Sequence, residues 1–447
     1  MTWEAAVAVT DVRKTAMRAV YMIAEEHGYS QLVLSSLLKE SPDLSEQDRK
    51  LLTQIVYRTI TFLSSIDPVI QAYSRTPQKK LQADVREALR IGICQMLFMD
   101  GIPPYAAVSS TVEALKKTRG KAFAGYANAV LRSILRDVES GRLTVERKVS
   151  FPAWLESRLS SQYGKEKVEK LSRIFAEERP LSIRLDAEED ERAQILDDLA
   201  SRTEIRQGKL CSDAYYLRDA SRIYEWPAFL DGKISVQGES SMAASQAVLS
   251  FVPGSGEGLN ILDMCAAPGS KSCMIAGRTK ATVISRDLYP ARVRLIEENK
   301  KRLRLENLRP EVRDALQIRE EERESFDLIL LDAPCSGIGT IRNKPDILLQ
   351  RREEDLEDLT RLQEKMLQEA ARMLKKGGVL VYSTCTLLAE ENERQVDRFL
   401  MGHSSFEEMD LSGLFPGWTT PEVKHMTIWP EENGCDGFFI AAFRKKC

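Results

Sequence analysis

The sequence predicts a multidomain chain with an all-helical N-terminal region, a small α+β module and a C-terminal α/β domain on a doubly wound parallel sheet. Three observations carry this reading. The 447 residues exceed what a single hydrophobic core organises. Apolar residues recur with helical spacing as far as about Val138,. After Ser240 the pattern changes to short apolar runs alternating with amphipathic stretches, as a parallel sheet with crossover helices requires,.

Taken in order, RKTAMRAVYMIAEEH, LSEQDRKLLTQIVYRTITFLSSI, LQADVREALRIGICQMLFM and AAVSSTVEALKKTRGK read as amphipathic helices, with turns at ESPD and DGIPP,. They define an expected helical domain over 1–145. Residues 146–238 combine a helical stretch, PAWLESRLSSQYGKEKVEKLSRIFAEE, with the strands PLSIRLD and DGKISVQ, an expected ferredoxin/RRM-like module,. Residues 239–447 give strands at NILDMCA, ATVISRD, FDLILLDAP and VLVYSTC. Helices are expected at ARVRLIEENKKRLRL and through EDLTRLQEKMLQEAARMLKKGG.

Composition narrows the function classes. Hydrophobic residues at 43% and charged residues at 29% supply folded cores and an ordinary soluble surface,. The formal charge of −3 requires any nucleic-acid surface to be local,. The start MTWEAAVAVTDVRK lacks the basic-then-apolar pattern of a signal peptide, and no apolar run approaches the ~20 residues that span a bilayer. A cytoplasmic protein away from membranes is expected. The 8 cysteines form no close C-x-x-C pair, so reduced thiols are expected,. Cys94 and Cys273 read as small buried hydrophobes and Cys447 as merely terminal. His27, His403 and His425 lie far apart in sequence, so no metal site is expected,.

Ligands of open parallel sheets bind beyond the carboxyl ends of the strands, and every unusual segment of the last domain falls there. DMCAAPGSKS, Asp263 to Ser272, is a Pro-Gly turn between strand and helix whose N–H groups suit a carboxylate. It is no Walker A loop, because Cys-Ala-Ala-Pro precedes Gly269 and a serine separates it from Lys271,. GSGEG at 254–258 precedes its strand, the wrong context for a dinucleotide fingerprint. Asp287 ends the next strand, where it can hold a ribose diol or cap the following helix. Asp314 can face an adenine amine or solvent.

LLDAPCSGIGTIRNKPD and VLVYSTCTLLAEENE then place Cys335 and Cys385 at two strand ends. Neither thiol has core-like flanks. Carbon 5 of a pyrimidine becomes nucleophilic once a thiolate adds to carbon 6. Such chemistry needs a cysteine, an acid near the N3 and N4 edge, and a base for the C5 proton. Local chemistry leaves open which cysteine attacks.

These segments, with SRDLYPAR and NGCDGFFIAAF, resemble the Nop/Sun family of RNA (cytosine-5) methyltransferases. YSQLVLSSLL, SEQDRKLLTQIVYRTI, LRIGICQMLFMDGIPPYAAV and YANAVLRSIL resemble that family's NusB-like RNA-binding domain, so the match spans nearly the whole chain. The resemblance implies a Rossmann-like catalytic domain, S-adenosyl-L-methionine as methyl donor, 16S rRNA as partner and a monomer. It assigns Cys385 as nucleophile, Cys335 to C5 proton removal or product release, and Asp332 to the cytosine edge. Cys265, Ala266, Ala267, Pro268, Gly269, Ser270 and Lys271 surround the cofactor's methionine part, with Asp287 on the ribose and Asp314 near the adenine.

Three segments depart from the family pattern. Its Gly-Gly-Lys-Thr is Gly269-Ser270-Lys271-Ser272, its Gln-Asp is Gln237-Gly238, and its Asn in the middle module is Asp186. A cytosine stacked in a helix hides carbons 5 and 6, so the target must be unpaired or flipped out. Candidate RNA contacts are Lys116, Lys117, Arg119, Lys121, Arg132 and Arg136, with Arg342 and Lys344 expected beside the active site. Each basic run reads equally as a solvated face. Tyr215 and Tyr216 fit base stacking less well than a core role. Rival readings are an RNA-binding ribosome-assembly factor with a non-catalytic platform, or the same chemistry on tRNA or DNA.

Overall fold

The computed structural model describes residues 11–415 and 424–447. The chain forms two compact units, Met1–Glu178 with Ile341–Arg351, and Arg179–Thr340 with Arg352–Cys447.

The first unit is helical: α1 (Val12–Ala24), α2 (Ser30–Glu40), α3 (Glu46–Thr61), α4 (Leu63–Tyr73), α5 (Ala83–Leu97), α6 (Pro104–Arg119), α7 (Lys121–Glu139), α8 (Ala153–Tyr163) and α9 (Lys165–Ala176). The caps explain where helices start. Asp11 accepts the Arg13 and Lys14 N–H groups at 3.1 and 3.4 Å to open α1, and Ser45 accepts from Asp48 at 3.1 Å to open α3,. Helix α5 carries the apolar run read from sequence and buries Ala88, Leu89, Ile91, Ile93 and Cys94. One charged cluster is enclosed with them, Arg90 bonding to Asp67 at 2.8 Å and to Glu87 and Glu25 at 3.0 Å each. Helices α8 and α9, read from sequence as part of the middle module, cluster with this unit.

The second unit begins with β1 (Leu181–Leu185), α10 (Arg192–Arg202), β2 (Ile205–Gln207), β3 (Ala214–Leu217), α11 (Pro227–Leu230) and β4 (Ile234–Val236). The strands pair antiparallel in the order β2-β3-β1-β4, the split βαβ arrangement,. Strands β2 and β3 are absent from the sequence reading. Buried Glu239, the first residue of the next helix, ties that helix to this sheet. It accepts from Leu210 N at 2.6 Å, Cys211 N at 3.1 Å and the Tyr216 hydroxyl at 2.7 Å. Tyr216 is therefore a core residue.

Next come α12 (Glu239–Leu249), β5 (Asn260–Asp263), α13 (Ser270–Ala276), β6 (Thr282–Asp287), α14 (Pro290–Arg302), β7 (Leu308–Val312) and β8 (Phe326–Asp332). The chain then contributes 341–351, with the short α15 (Ile347–Gln350), to the helical unit. It returns as α16 (Asp355–Met373), β9 (Leu374–Thr384), α17 (Glu393–Gly402), β10 (Phe406–Met409), β11 (Met426–Ile428), α18 (Pro430–Asn433) and β12 (Phe438–Lys445). The sheet order is β10-β12-β9-β8-β5-β6-β7, with β11 beside β12. Strands β5 to β9 are parallel and β10 to β12 antiparallel.

Both faces of this sheet are covered, which explains the unbroken apolar strand sequences,. The expected long helix ends earlier than read. Leu374 already pairs with Phe326 of β8, so LKKGG opens a strand instead of closing a helix. Among the described residues no helix is long and apolar enough to cross a membrane.

Candidate active site at the strand ends

The parallel register places Asp332 opposite Ser383 at the ends of β8 and β9. Just beyond, the Cys335 and Cys385 sulfurs lie 3.3 Å apart. Asp332 is held from two sides, by Lys271 Nζ at 2.6 Å and Ser383 Oγ at 2.8 Å. Burial draws the Lys271 ammonium down, but the Asp332 charge and hydrogen bond outweigh it and hold the group above its ordinary value. The ammonium also lies 5.5 Å from the Phe438 ring centroid. The ammonium also interacts electrostatically with Cys385. The hydrogen bond with Cys385, and then burial, push the Cys335 thiol well up.

The DMCAAPGSKS turn links β5 to α13. Gly269 has φ 97°, and an added Cβ would stand 3.0 Å from Ile296 Cγ2 on α14, so the turn admits only glycine there,. Arg292 Nη2 and Asn299 Nδ2 of α14 bind the Ala267 and Pro268 carbonyls at 3.1 and 3.2 Å. Asp263, wholly buried, accepts from Ser272 Oγ at 2.5 Å, while its other oxygen has no partner. Burial pushes this carboxyl up to about 7.

Asp287 accepts the Tyr289 N–H at 3.2 Å and lies 3.4 Å from Arg292 Nη2. Its oxygens keep capacity for further donors such as a diol. Asp314, half-buried past β7, accepts the Leu316 N–H at 2.9 Å. The turn after β5 and the carboxylates after β6 and β7 therefore follow neighbouring strands of one sheet edge, an acceptor set that fits a nucleoside,.

The loop after Cys335 is pinned by close backbone approach. Gly437 N donates to Gly339 O at 2.8 Å, and a Cβ on Gly339 would fall 2.1 Å from Gly437 O. The NGCDG segment before β12 is thereby part of the same edge. Arg342 and Lys344 belong to the segment that clusters with the helical unit, where Arg342 Nη2 binds the Glu178 carbonyl at 3.1 Å. Five of the other six basic candidates, all but Lys121, have partners within the helical unit: Lys116 with Glu113 at 3.2 Å, Lys117 with Asp11 at 3.5 Å, Arg119 with Asp84, Arg132 with Asn128 at 3.0 Å and Arg136 with Ser133 at 3.1 Å.

Sequence reasoning missed the layer of polar groups beneath the thiols: Ser336, Gln363, Glu391 and Asn392, all buried. The only signal was the run Glu390-Glu391-Asn392 after an apolar LLA, which reads as a solvated charge cluster,.

Comparison with known proteins agrees with this layout. A family model described as "16S rRNA methyltransferase RsmB/F" matches residues 251–444, and one described as "NusB family" matches residues 10–136. The "Probable ribosomal RNA small subunit methyltransferase B" of Bacillus subtilis (strain 168) is 37% identical, over 98% of this chain and 99% of that protein. The "Ribosomal RNA small subunit methyltransferase B" of Vibrio cholerae serotype O1 is 32% identical, over 98% of each. Among solved structures, PH0851 superposes with a TM-score of 0.79 at 25% identity, covering 99% of this chain and 100% of that one. With relatives of that identity matched over nearly its whole length, and the first of these family models lying over every strand-end motif, the chain belongs to the RsmB/F family of 16S rRNA methyltransferases.

Proposed function

We propose that the protein transfers a methyl group from S-adenosyl-L-methionine to carbon 5 of a cytosine in 16S rRNA, with Cys385 adding covalently to carbon 6. The observation that carries this reading is the pair of sulfurs 3.3 Å apart beside a carboxylate fixed by Lys271 and Ser383. The names borne by the relatives support the RNA substrate, and the NusB-type helices support RNA binding.

In this reading Asp332 holds the N3 and N4 edge of a flipped-out cytosine. The Cys385 thiolate bonds to carbon 6 as the 5,6 π pair moves to make carbon 5 electron-rich. The cofactor supplies an electrophilic methyl group, and Cys265, Ala266, Ala267, Pro268, Gly269, Ser270 and Lys271, with Asp287 and Asp314, would hold it. Once carbon 5 is methylated its proton leaves to a base. That C–H pair restores the double bond and the C6–S bond breaks, returning Cys385 as thiolate. Cys335, in contact with that sulfur, assists this release.

The test incubates wild-type, Cys335→Ala and Cys385→Ala protein with labelled S-adenosyl-L-methionine and naked 16S rRNA. Methylated cytosines are mapped and denaturing gels run for protein–RNA adducts. The expected result is one modified cytosine, adducts accumulating in Cys335→Ala, and neither product nor adduct in Cys385→Ala. Normal methylation by Cys385→Ala would overturn the nucleophile. Transfer to tRNA or DNA but not 16S rRNA would overturn the substrate.

A further inference from the structure

The two thiols do not set their own spacing. The residues on either side of each, Pro334 and Ser336, Thr384 and Thr386, are gripped by buried side chains bonded to those neighbours. Glu391 is fully buried, and its carboxylate meets Ser336 N at 2.8 Å, Ser336 Oγ at 2.5 Å and Gln363 Nε2 at 3.0 Å. Ser336 Oγ lies also 2.7 Å from Thr386 Oγ1. Gln363 donates to the Pro334 carbonyl at 2.9 Å and is oriented by Gln395 at 3.1 Å. Asn392 accepts from Thr384 Oγ1 at 2.6 Å and donates to the Thr386 carbonyl at 3.1 Å, spanning Cys385.

We propose that Glu391 is a positioning residue that holds the Cys335 and Cys385 loops in one register, so that both sulfurs face one substrate base. Its effect on turnover rests on the methyl-transfer reading above, whereas its effect on sulfur spacing does not. A buried carboxylate is a costly way to fill space, since an apolar group of similar volume often serves as well. Here each oxygen is used. One carboxylate fixes the backbone and hydroxyl of the residue after Cys335, and through that hydroxyl the residue after Cys385. Burial raises this carboxyl above its ordinary value. A proton on Oε2 leaves the geometry intact, with Glu391 donating to Ser336 Oγ and that hydroxyl donating to Thr386. Glutamine reproduces this neutral pattern: its carbonyl accepts from Ser336 N and Gln363, and its amide donates to Ser336 Oγ.

The experiment uses the full chain with Glu391→Ala, Glu391→Gln and Ser336→Ala, and reads two quantities. The first is kcat and KM for methyl transfer to 16S rRNA. The second is the rate of Cys335–Cys385 disulfide formation with diamide, followed by peptide mapping. Diamide takes up two electrons and two protons as the thiols join, so the rate reports sulfur proximity without any enzymatic turnover. Misplacing reacting groups by ~1 Å costs about 10²-fold, so Glu391→Ala should lose about that much in kcat and cross-link at least about tenfold more slowly. Its KM for the cofactor should stay within about threefold, as expected when binding is untouched. Glu391→Gln should restore both rates to within about threefold of wild type, and Ser336→Ala, which keeps the backbone donor, should lose less than Glu391→Ala.

Wild-type cross-linking in Glu391→Ala would overturn the proposal. Slow cross-linking in Glu391→Ala, together with no RNA methylation by the wild-type protein, would uphold the positioning role and sink the methyl-transfer reading instead. If Glu391→Ala does not fold, Ser336→Ala decides: slower cross-linking upholds the register and an unchanged rate overturns it.

Discussion

Two buried polar clusters, one in each unit, look alike in composition and differ in what they leave over. In the helical unit Arg90 is bonded to Asp67, Glu87 and Glu25, and Arg86 to Glu87 and Glu25 at 3.0 Å each. Burial lifts the Glu87 carboxyl despite both arginines, and the cluster closes on itself within the helices. At the strand ends Lys271, Asp332 and Ser383 form one set of contacts and Ser336, Glu391 and Thr386 another, and the two thiols lie next to them in sequence and 3.3 Å from each other. Burial and charge therefore do not mark a functional site. The difference lies in what each set adjoins: the helical cluster closes on itself, whereas the strand-end groups flank a pair of sulfurs in contact.

The sharpest test of this contrast is Cys385→Ala, a small volume change whose expected cost is at least about 10⁴-fold in methyl transfer, since a covalent nucleophile acts as a unit with its partners. Thermal unfolding should barely move; a large drop would mean the thiol is a packing element after all. The mirror change is Arg90→Met, which should leave diamide cross-linking of the thiols intact. It should cost about 3–5 kcal/mol in stability by stranding buried carboxylates, measured by denaturant unfolding. Next is Asp332→Asn, which abolishes the ion pair with Lys271 and should lower kcat about 10²-fold. A kcat within error of wild type would remove Asp332 from the chemistry.

The last test concerns pH. Asp263 is raised from 3.8 to about 7 by burial. The folded state then keeps a proton the unfolded chain releases, so this carboxyl's contribution is full below about pH 4 and is lost as pH rises toward 7. Melting curves from pH 4 to 8 should show Asp263→Asn gaining on wild type over that window. A constant difference between the two proteins would show that Asp263 is not perturbed.

What could be read from the chain was chemistry carried by neighbours in sequence. Pro334-Cys335-Ser336 and Thr384-Cys385-Thr386 stood out because their polar flanks are unusual for a core, although Ser336, Thr384 and Thr386 are in fact wholly buried. Glu391 did not, because its partners Ser336 and Gln363 stand 55 and 28 positions away and only the sheet brings them together. Strands β2 and β3 escaped because Ile205–Gln207 and Ala214–Leu217 are too short to show alternation,. The helix read through LKKGG had good periodicity, but pairing of Leu374 with Phe326 overrode it,. Membership of 341–351 in the helical unit was illegible for the same reason as Glu391. Its anchors, Asp346 on Ser30 and Gln350 on the Gly28 carbonyl, bridge 316 and 322 positions.

That segment bears on how such proteins can be taken apart or rebuilt. Ile341, Ile347 and Leu348 are buried, and they lie in a stretch that begins just after the Gly339 contact and clusters with the helices. A minimal enzyme made by cutting away the first 178 residues would strip Ser30, His27 and Gly28 from their partners and leave those apolar side chains uncovered. The helices are thus not an interchangeable cassette. A lineage that gains or sheds them has to rewrite the loop downstream of Cys335 at the same time.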